Sequence, residues 1–267
     1  MDKNLRSCIK VQCPAKINLD LKIVNRRPDG FHNIESTMQT INLFDYLTIE
    51  LKPSNNTQIE LSGTSTEIPY NEKNIAYKAT NLFLEKTKKA ANIKIFIEKN
   101  IPVSAGLAGG STNAAGTIFG LNEIFNNPLT KEQLHELCAQ LGSDLNFCLE
   151  GGCKKTSSRG EVLKNSEFLE QTISLIKPIT LGISAKEAYT KFANKEKTSN
   201  RDEFINDLEW AVIDDYSELQ FIKKTYPQAI MTGSGSTYFA YNINFAQHAG
   251  YWVKNNLKTI NYGVKII

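Results

Sequence analysis

The chain has 267 residues, 41% of them hydrophobic and 22% charged, with a formal net charge of +3. That length carries a sizeable core in one large domain or two small ones, and the composition is that of an ordinary soluble globular protein. Lys and Arg are scattered, in runs no longer than Lys86/Lys88/Lys89 or Lys154/Lys155, which excludes the basic stripe that tracks a nucleic-acid backbone; no apolar run is long enough to span a bilayer.

The opening "MDKNLRSCIKVQC" has an acidic second residue and no apolar core, unlike a secretory leader. Cys8, Cys13, Cys138, Cys148 and Cys153 form no CxxC and no zinc spacing. Reduced thiols in a cytoplasmic protein are expected.

In chain order, residues 8–24 and 38–51 carry β-branched and apolar residues at strand spacing, separated by the turn signal "NRRPDGF". "TQIELSG" is a further short strand. From 74 to 91 the set Ile75, Ala79, Leu82, Phe83 recurs at helical spacing behind the N-cap Asn74. "NIKIFIEKN" alternates as a strand, and the bare stretch "PVSAGLAGGSTNAAG" leads from it into a helix ending near Phe125. "TKEQ" is a capping box, Thr130 with Gln133, for a helix to Leu141. "DLNFCLEGGCKKT" reads as strand and turn, and 160–178 as a strand pair. Helices follow at 186–193, 202–213 and 216–224, then strands "QAIMTG" and "TYFAYN", a helix over 245–255 and the strand "INYGVKII". A strand-rich first half and helix-rich second half predict an α+β fold, with any domain boundary near 150–160 and closely packed.

Glycine costs conformational entropy, so the crowding of Gly106, Gly109 and Gly110 at a helix mouth asks for a cause. A helix N-terminus carries unpartnered N–H groups and partial positive charge, and side-chain-poor backbone there can close on a polyanion. Ser104, Ser111 and Thr112 add hydroxyls, and Asn113 can fix the turn or reach a ligand. A surface loop needing positive φ is the equal alternative on composition alone. Neither GxxxxGK[ST] nor GxGxxG is present.

"PVSAGLAGGSTNAAG" closely resembles the phosphate loop of the GHMP kinases, in the "GGSTNAA" form of the branch that phosphorylates 4-diphosphocytidyl-2-C-methyl-D-erythritol. "CPAKINLDLKIVNRRPDGFHNIESTMQTINLFDYLTI", "LGSDLNFCLEGG", "KPITLGISAKEAY", "NDLE" and "MTGSGSTYFA" resemble that branch's other blocks, in its order and along the whole chain.

The resemblance implies a two-domain GHMP kinase fold. An N-terminal ATP-binding domain, like domain 2 of ribosomal protein S5, is expected over 1–155, and a ferredoxin-like α/β substrate-binding domain over 156–267. It implies transfer of the ATP γ-phosphoryl group to a sugar-alcohol hydroxyl in the non-mevalonate isoprenoid pathway, an alcohol-acceptor phosphotransfer requiring Mg²⁺. Asp144 is implied as general base and Lys16 as the ammonium beside it that polarises the attacking oxygen. Pro102, Ser104, Ala105, Gly106, Leu107, Ala108, Gly109, Gly110, Ser111, Thr112 and Asn113 would cradle ATP. Asn18, two residues from Lys16 and on the same strand face, would contact the sugar alcohol or its phosphate. Phe31 would stack on the cytosine while His32 bonds its polar edge and Tyr189 covers the other face, at roughly 1–3 kcal/mol per stacked base.

Ser184 would donate to the cytidine or its diphosphate, with Lys186 and Arg159 as looser candidates. No metal ligand is legible beyond Ser111 or Thr112 as a guess. His135 and His248 are expected to be structural, and "GSGS" at 233–236 to be either a second backbone nest or a tight turn. Partners would be ATP and the small acceptor alone, with neither nucleic acid nor membrane, in a monomer or weak homodimer.

Some positions depart from the branch pattern. Ala108 replaces a glycine, and since alanine is comfortable only at negative φ the loop is expected either to keep that conformation or to approach phosphate slightly less closely; Thr112 replaces a serine, Asn146 a proline and Cys148 an aromatic. The turn in "TSSRGEVL" is one glycine short. Another GHMP kinase, of homoserine or mevalonate type, and a non-catalytic nucleotide sensor are the competing readings. A substrate without a nucleobase gives no reason for Phe31, His32 and Tyr189, and a sensor none for Lys16 with Asp144.

Overall fold

The computed structural model describes residues 7–196 and 199–267; residues 1–6, which open the stretch read for a leader, lie outside them. The chain begins with a long antiparallel pair, β1 (Cys8–Asn18) against β3 (His32–Pro53), joined through the short β2 (Lys22–Arg26). Register shifts between Pro14 and Ala15, where Pro14 faces Phe44 and Ala15 faces Ile41. Proline has no N–H to give the ladder, so a bulge at that point is the economical arrangement. It sits two residues before Lys16.

β4 (Gln58–Gly63), α1 (Ile75–Thr87) and β5 (Ala91–Glu98) form a crossover, so β4 and β5 pair in parallel. Along β5, Ala91, Ile93, Ile95 and Ile97 are buried, the two-residue period expected of a half-covered strand. Asn74 caps α1 through the Ala76 N–H. α2 (Gly109–Ile124) lies flat on the sheet: a Cβ on Gly116 would fall 2.4 Å from Cys13 Sγ, and one on Gly120 2.6 Å from Ile49 Cδ1. Only glycine lets the helix approach that closely. α3 (Lys131–Leu141) carries both bonds of its capping box, Thr130 with Gln133.

α4 (Leu145–Glu150) corrects the strand expected there. A six-residue apolar run does not distinguish helix from strand by period, and the helix stops where Gly151 and Gly152 turn to φ 64° and 78°. β6 (Cys153–Ser157) and β7 (Val162–Asn165) then extend the first sheet beside β3.

The second sheet is built from β8 (Thr172–Pro178), β9 (Ile230–Met231), β10 (Tyr238–Tyr241) and β11 (Tyr251–Lys258), in the order β11-β8-β10-β9. Numbered within this sheet the order is 4-1-3-2, that of a ferredoxin-like unit. Its first crossover is helical: α5 (Ala185–Asn194), α6 (Asp207–Val212) and α7 (Ser217–Thr225). The helix expected over 202–213 is confined to α6, preceded by a 3-10 turn at Ser199–Glu203. The second crossover has no helix. The helix expected over 245–255 is instead irregular backbone, a turn at 249–250 and then β11, because Gly250 sits at φ 83° and the Tyr-Trp-Val that follows suits a strand.

The chain end returns to the first sheet, but only β12 (Lys265–Ile266) of the expected terminal strand pairs there, against β1. Segments from both sides of residue 155 are therefore woven into one sheet. One core lies under α1–α3, a second under α5–α7, and a third, with Ile17, Ile41, Leu107, Leu175 and Phe239, joins the two sheets. The mixed α/β architecture with two sheets is that of the expected GHMP fold.

Candidate active site

The approach to α2 is fixed by a buried carboxylate. Asp45, fully buried in β3, accepts from the Lys99 ammonium at 2.7 Å, the Asn100 and Ile101 N–H groups at 2.7 and 2.8 Å, and the Asn113 amide at 3.0 Å. A buried charge survives only when its oxygens are saturated in this way. Asn113 therefore fixes the turn, the first of the two roles open to it.

Beyond this knot, Ser104, Gly106 and Ala108 all take positive φ, at 51°, 73° and 58°. Ala108 does not keep negative φ, the first of the two expectations: it is the left-handed N-cap of α2, and its carbonyl accepts from the Thr112 N–H at 2.9 Å. No side chain caps α2 and no acidic residue occupies its first turn. Its N-terminal N–H groups and dipole thus face the cleft past Gly109, Gly110 and Ser111.

The second glycine turn clamps the first. A Cβ on Gly106 would fall 2.1 Å from the Thr232 carbonyl oxygen, and one on Gly233 2.9 Å from the Gly106 carbonyl oxygen. Thr232 Oγ1 accepts from the Asn18 N–H at 2.8 Å.

Strand alternation sends Lys16 and Asn18 to one side of β1. Lys16 is 3% exposed, donates to the Gly106 carbonyl at 2.9 Å and to Asn18 Oδ1, and lies 3.8 Å from Asp144 Oδ2. An ammonium has three N–H donors, so two are committed to the frame and one remains for Asp144 or a bound oxygen. Asp144, at the start of α4, keeps its side chain partly exposed toward the cleft. Asn18 is fixed in turn by donating to Ser36 Oγ at 2.7 Å.

The far end of the cleft is aromatic. His32 and Tyr189 stack on each other with centroids 5.2 Å apart and planes 13° from parallel, and Phe192 meets His32 edge-on. Burial, helped by Arg26, holds the His32 pKa below the usual histidine value. Burial also raises that of the Tyr189 phenol. Phe31 is exposed, with the Arg159 guanidinium 5.1 Å above its ring. Ser184 caps α5 by accepting from the Glu187 N–H at 3.1 Å.

Lys16, Asn18, His32, Asp144, Ser184 and Tyr189, with Phe31 and Arg159, line one cleft of about 1140 Å³, above the range of about 300–1,000 Å³ usual for a single small ligand. Among the residues expected at the site, Leu107 and Thr112 do not reach it; both are buried beneath the loop. Arg26, Ser143 and Ser234, which lie inside the motif blocks without a role assigned to them, also line it, and so do Lys73 and Lys99, which no motif announces. Lys99 had one available signal, since an Asp in the apolar "NLFDYL" demands a buried partner. His135 Nε2 lies 3.0 Å from Glu150 Oε1 and His248 bonds Tyr226, both away from the cleft. All five cysteines are free, and burial, then Asp144, raises the pKa of the Cys148 thiol.

A glycine-rich helix mouth opposite a Lys–carboxylate pair, on this two-sheet frame, defines a GHMP kinase. Residues 74–152 match the family described as GHMP kinases N terminal domain. The chain is 37% identical to the 4-diphosphocytidyl-2-C-methyl-D-erythritol kinase of Clostridium tetani over 257 residues, 87% of this chain and 90% of the relative. A crystal structure of 4-(cytidine 5'-diphospho)-2C-methyl-D-erythritol kinase superposes with a TM-score of 0.74 at 23% identity, covering 94% of this chain and 99% of that one. Homoserine kinase from Cytophaga hutchinsonii reaches the same TM-score at 16% identity, covering 100% and 99%. The backbone thus gives the fold, and the sequence separates the branches: the chain belongs to the 4-diphosphocytidyl-2-C-methyl-D-erythritol kinase family.

Proposed function

We propose that this chain transfers the γ-phosphoryl group of ATP to the 2-hydroxyl of 4-diphosphocytidyl-2-C-methyl-D-erythritol, a step in non-mevalonate isoprenoid precursor synthesis. One observation carries the mechanism: Lys16 and Asp144 stand 3.8 Å apart between a bare helix N-terminus and an aromatic wall. The mouth of α2 is the anion cradle. The His32–Tyr189 side is where the cytosine lodges, and the acceptor hydroxyl falls between them. Asp144 orients that hydroxyl and takes its proton as the O–P bond forms. Lys16 stabilises the negative charge developing on the same oxygen. Arg26, Lys73 and Lys186 also line the cleft, as two polyanionic substrates require.

Among the described residues no group of three or more His, Cys, Asp or Glu is placed to hold a metal. Mg²⁺ leans on phosphates and water and, when bound, would neutralise phosphate charge. Ser111, at the cleft, is the side chain proposed to approach it; Thr112 is buried. We read the enzyme as cytoplasmic, given its free thiols, and as a monomer or weak homodimer acting on small molecules alone. No helix among the described residues is long and apolar enough to cross a membrane.

The deciding experiment measures ATP-dependent ADP formation with the cytidyl acceptor, homoserine and mevalonate. Turnover with the cytidyl acceptor is expected, and turnover confined to either of the others rejects the assignment. Asp144→Asn should keep nucleotide affinity and lose about 10²-fold or more in transfer rate. An undiminished rate removes Asp144 from the mechanism.

A further inference from the structure

Lys177 closes β8 and is 5% exposed. Its bonded partners are backbone carbonyls: Pro178 at 2.8 Å, Leu181 at 2.9 Å and Ile179 at 3.5 Å. Burial disfavours the charged form, and Glu67 opposes that effect. The three carbonyls span the bend where β8 ends at Pro178 and passes into 179–184, a segment with neither helix nor strand. A bend whose carbonyls converge inward needs a donor at their focus, and a lysine ammonium supplies three N–H groups on a stem long enough to reach it.

This segment connects the two halves of the site. A Cβ on Gly182 would fall 2.9 Å from Ser104 Cβ, so the segment lies directly against the phosphate loop. Ser234 and Ser236 of the second glycine turn donate to Ile183 and Leu181 carbonyls. Two residues past Gly182, Ser184 caps the helix that carries Tyr189. The phosphate loop has independent anchors in Asp45 and Gly233; α5 is tied to the second core through Ala188 and through Tyr216 donating to Glu187, and this segment leads into its N-cap, Ser184.

We propose that Lys177 is a positioning residue for the acceptor: its ammonium gathers the carbonyls of Pro178, Ile179 and Leu181 and so sets where Gly182 meets Ser104 and where α5 begins. The inference rests on the acceptor lying beside α5, as assigned above.

The test pairs Lys177→Met, which keeps the stem and removes the donors, with Lys177→Arg, which restores donors in a bulkier head. Amide hydrogen exchange of the free protein should quicken by about tenfold or more in peptides covering 178–186 of Lys177→Met, with β1 and β3 unchanged. With substrates, KM for the cytidyl acceptor should rise by about tenfold while KM for ATP moves less than about threefold, and Lys177→Arg should recover part of the loss. Ser236→Ala, which removes the second donor to Leu181, should shift both readouts the same way by less; it carries the test if Lys177→Met fails to fold. Unchanged exchange at 178–186, a uniform quickening throughout the second sheet, or equal rises in both KM values would each overturn the proposal. If the wild type turns over no cytidyl acceptor, the functional assignment falls, and the exchange result still decides whether Lys177 holds the segment.

Discussion

Replacing Ala108 by glycine should stabilise the protein, the reverse of what glycine does at a helical position. Ala108 sits at φ 58°, ψ 29°, where a Cβ crowds the following carbonyl at a cost of about 1–2 kcal/mol. Glycine removes that cost. Against this stand the larger entropy that glycine loses on folding, about 0.4–1 kcal/mol, and the loss of a half-buried methyl, about 0.4 kcal/mol from half the value for a buried CH₂. The net is a gain of about 0.5 kcal/mol, small alone but with a sharp internal reference.

Ala114, six residues on in the same helix, is fully buried with ordinary helical geometry. Ala114→Gly loses helix propensity of about 1 kcal/mol and a buried methyl of about 0.8 kcal/mol. The two variants should therefore differ by about 2 kcal/mol, and by roughly 4–8 °C in Tm for a chain of this size. Urea unfolding at constant slope measures the difference, and the Ala108→Gly enzyme should bind ATP no worse than the parent. If Ala108→Gly falls as far as Ala114→Gly, the left-handed strain assigned to the helix mouth is wrong.

Two further outcomes follow from the aromatic end of the cleft. Tyr189→Ala should weaken the cytidyl acceptor by about tenfold or more, from the 1–3 kcal/mol of a stacked base, with KM for ATP unchanged and Tyr189→Phe near wild type; equal losses for both substrates would deny the ring a base-binding role. The second concerns pH. Burial and Arg26 depress the His32 pKa from its ordinary 6.5, so the unfolded chain takes up this proton first and the stability tied to neutral His32 is lost as pH falls below that value. The urea midpoint should drop more steeply from pH 7 to pH 5 in wild type than in His32→Gln, and superimposable profiles would contradict the burial of this ring.

How far the sequence reached depended on the distance over which each feature is decided. Caps are local: Asn74, and Thr130 with Gln133, hold the bonds their spacing predicts. Residues 145–150 and 251–258 were open to misreading because short apolar runs suit both helix and strand, and partner segments far away settle the matter. The site divides in the same way. Motifs point to Lys16 and Asp144, and the chain brings them together. The Asp45 knot draws on Lys99 and Asn113, 54 and 68 residues away, and only the folded chain shows that one carboxylate gathers both. The mutual stack of His32 on Tyr189, where a base between Phe31 and Tyr189 is expected, is likewise a product of tertiary packing.

These long-range contacts explain how a loop with so little side chain holds one shape. Three of its residues take positive φ, a conformation that would not persist in a free peptide with serine and alanine at two of the positions. It persists because each end is tied to something rigid. Asp45 holds the backbone at 100–101 on one side, Gly233 and Thr232 pack against Gly106 on the other, and the Gly106 carbonyl is bonded to Lys16. The bond that shapes the loop also commits one proton of the Lys16 ammonium, so a change that moves the loop moves the ammonium with it. Strain in the cradle and placement of Lys16 are therefore one mechanical problem, solved by strands β1 and β3 together.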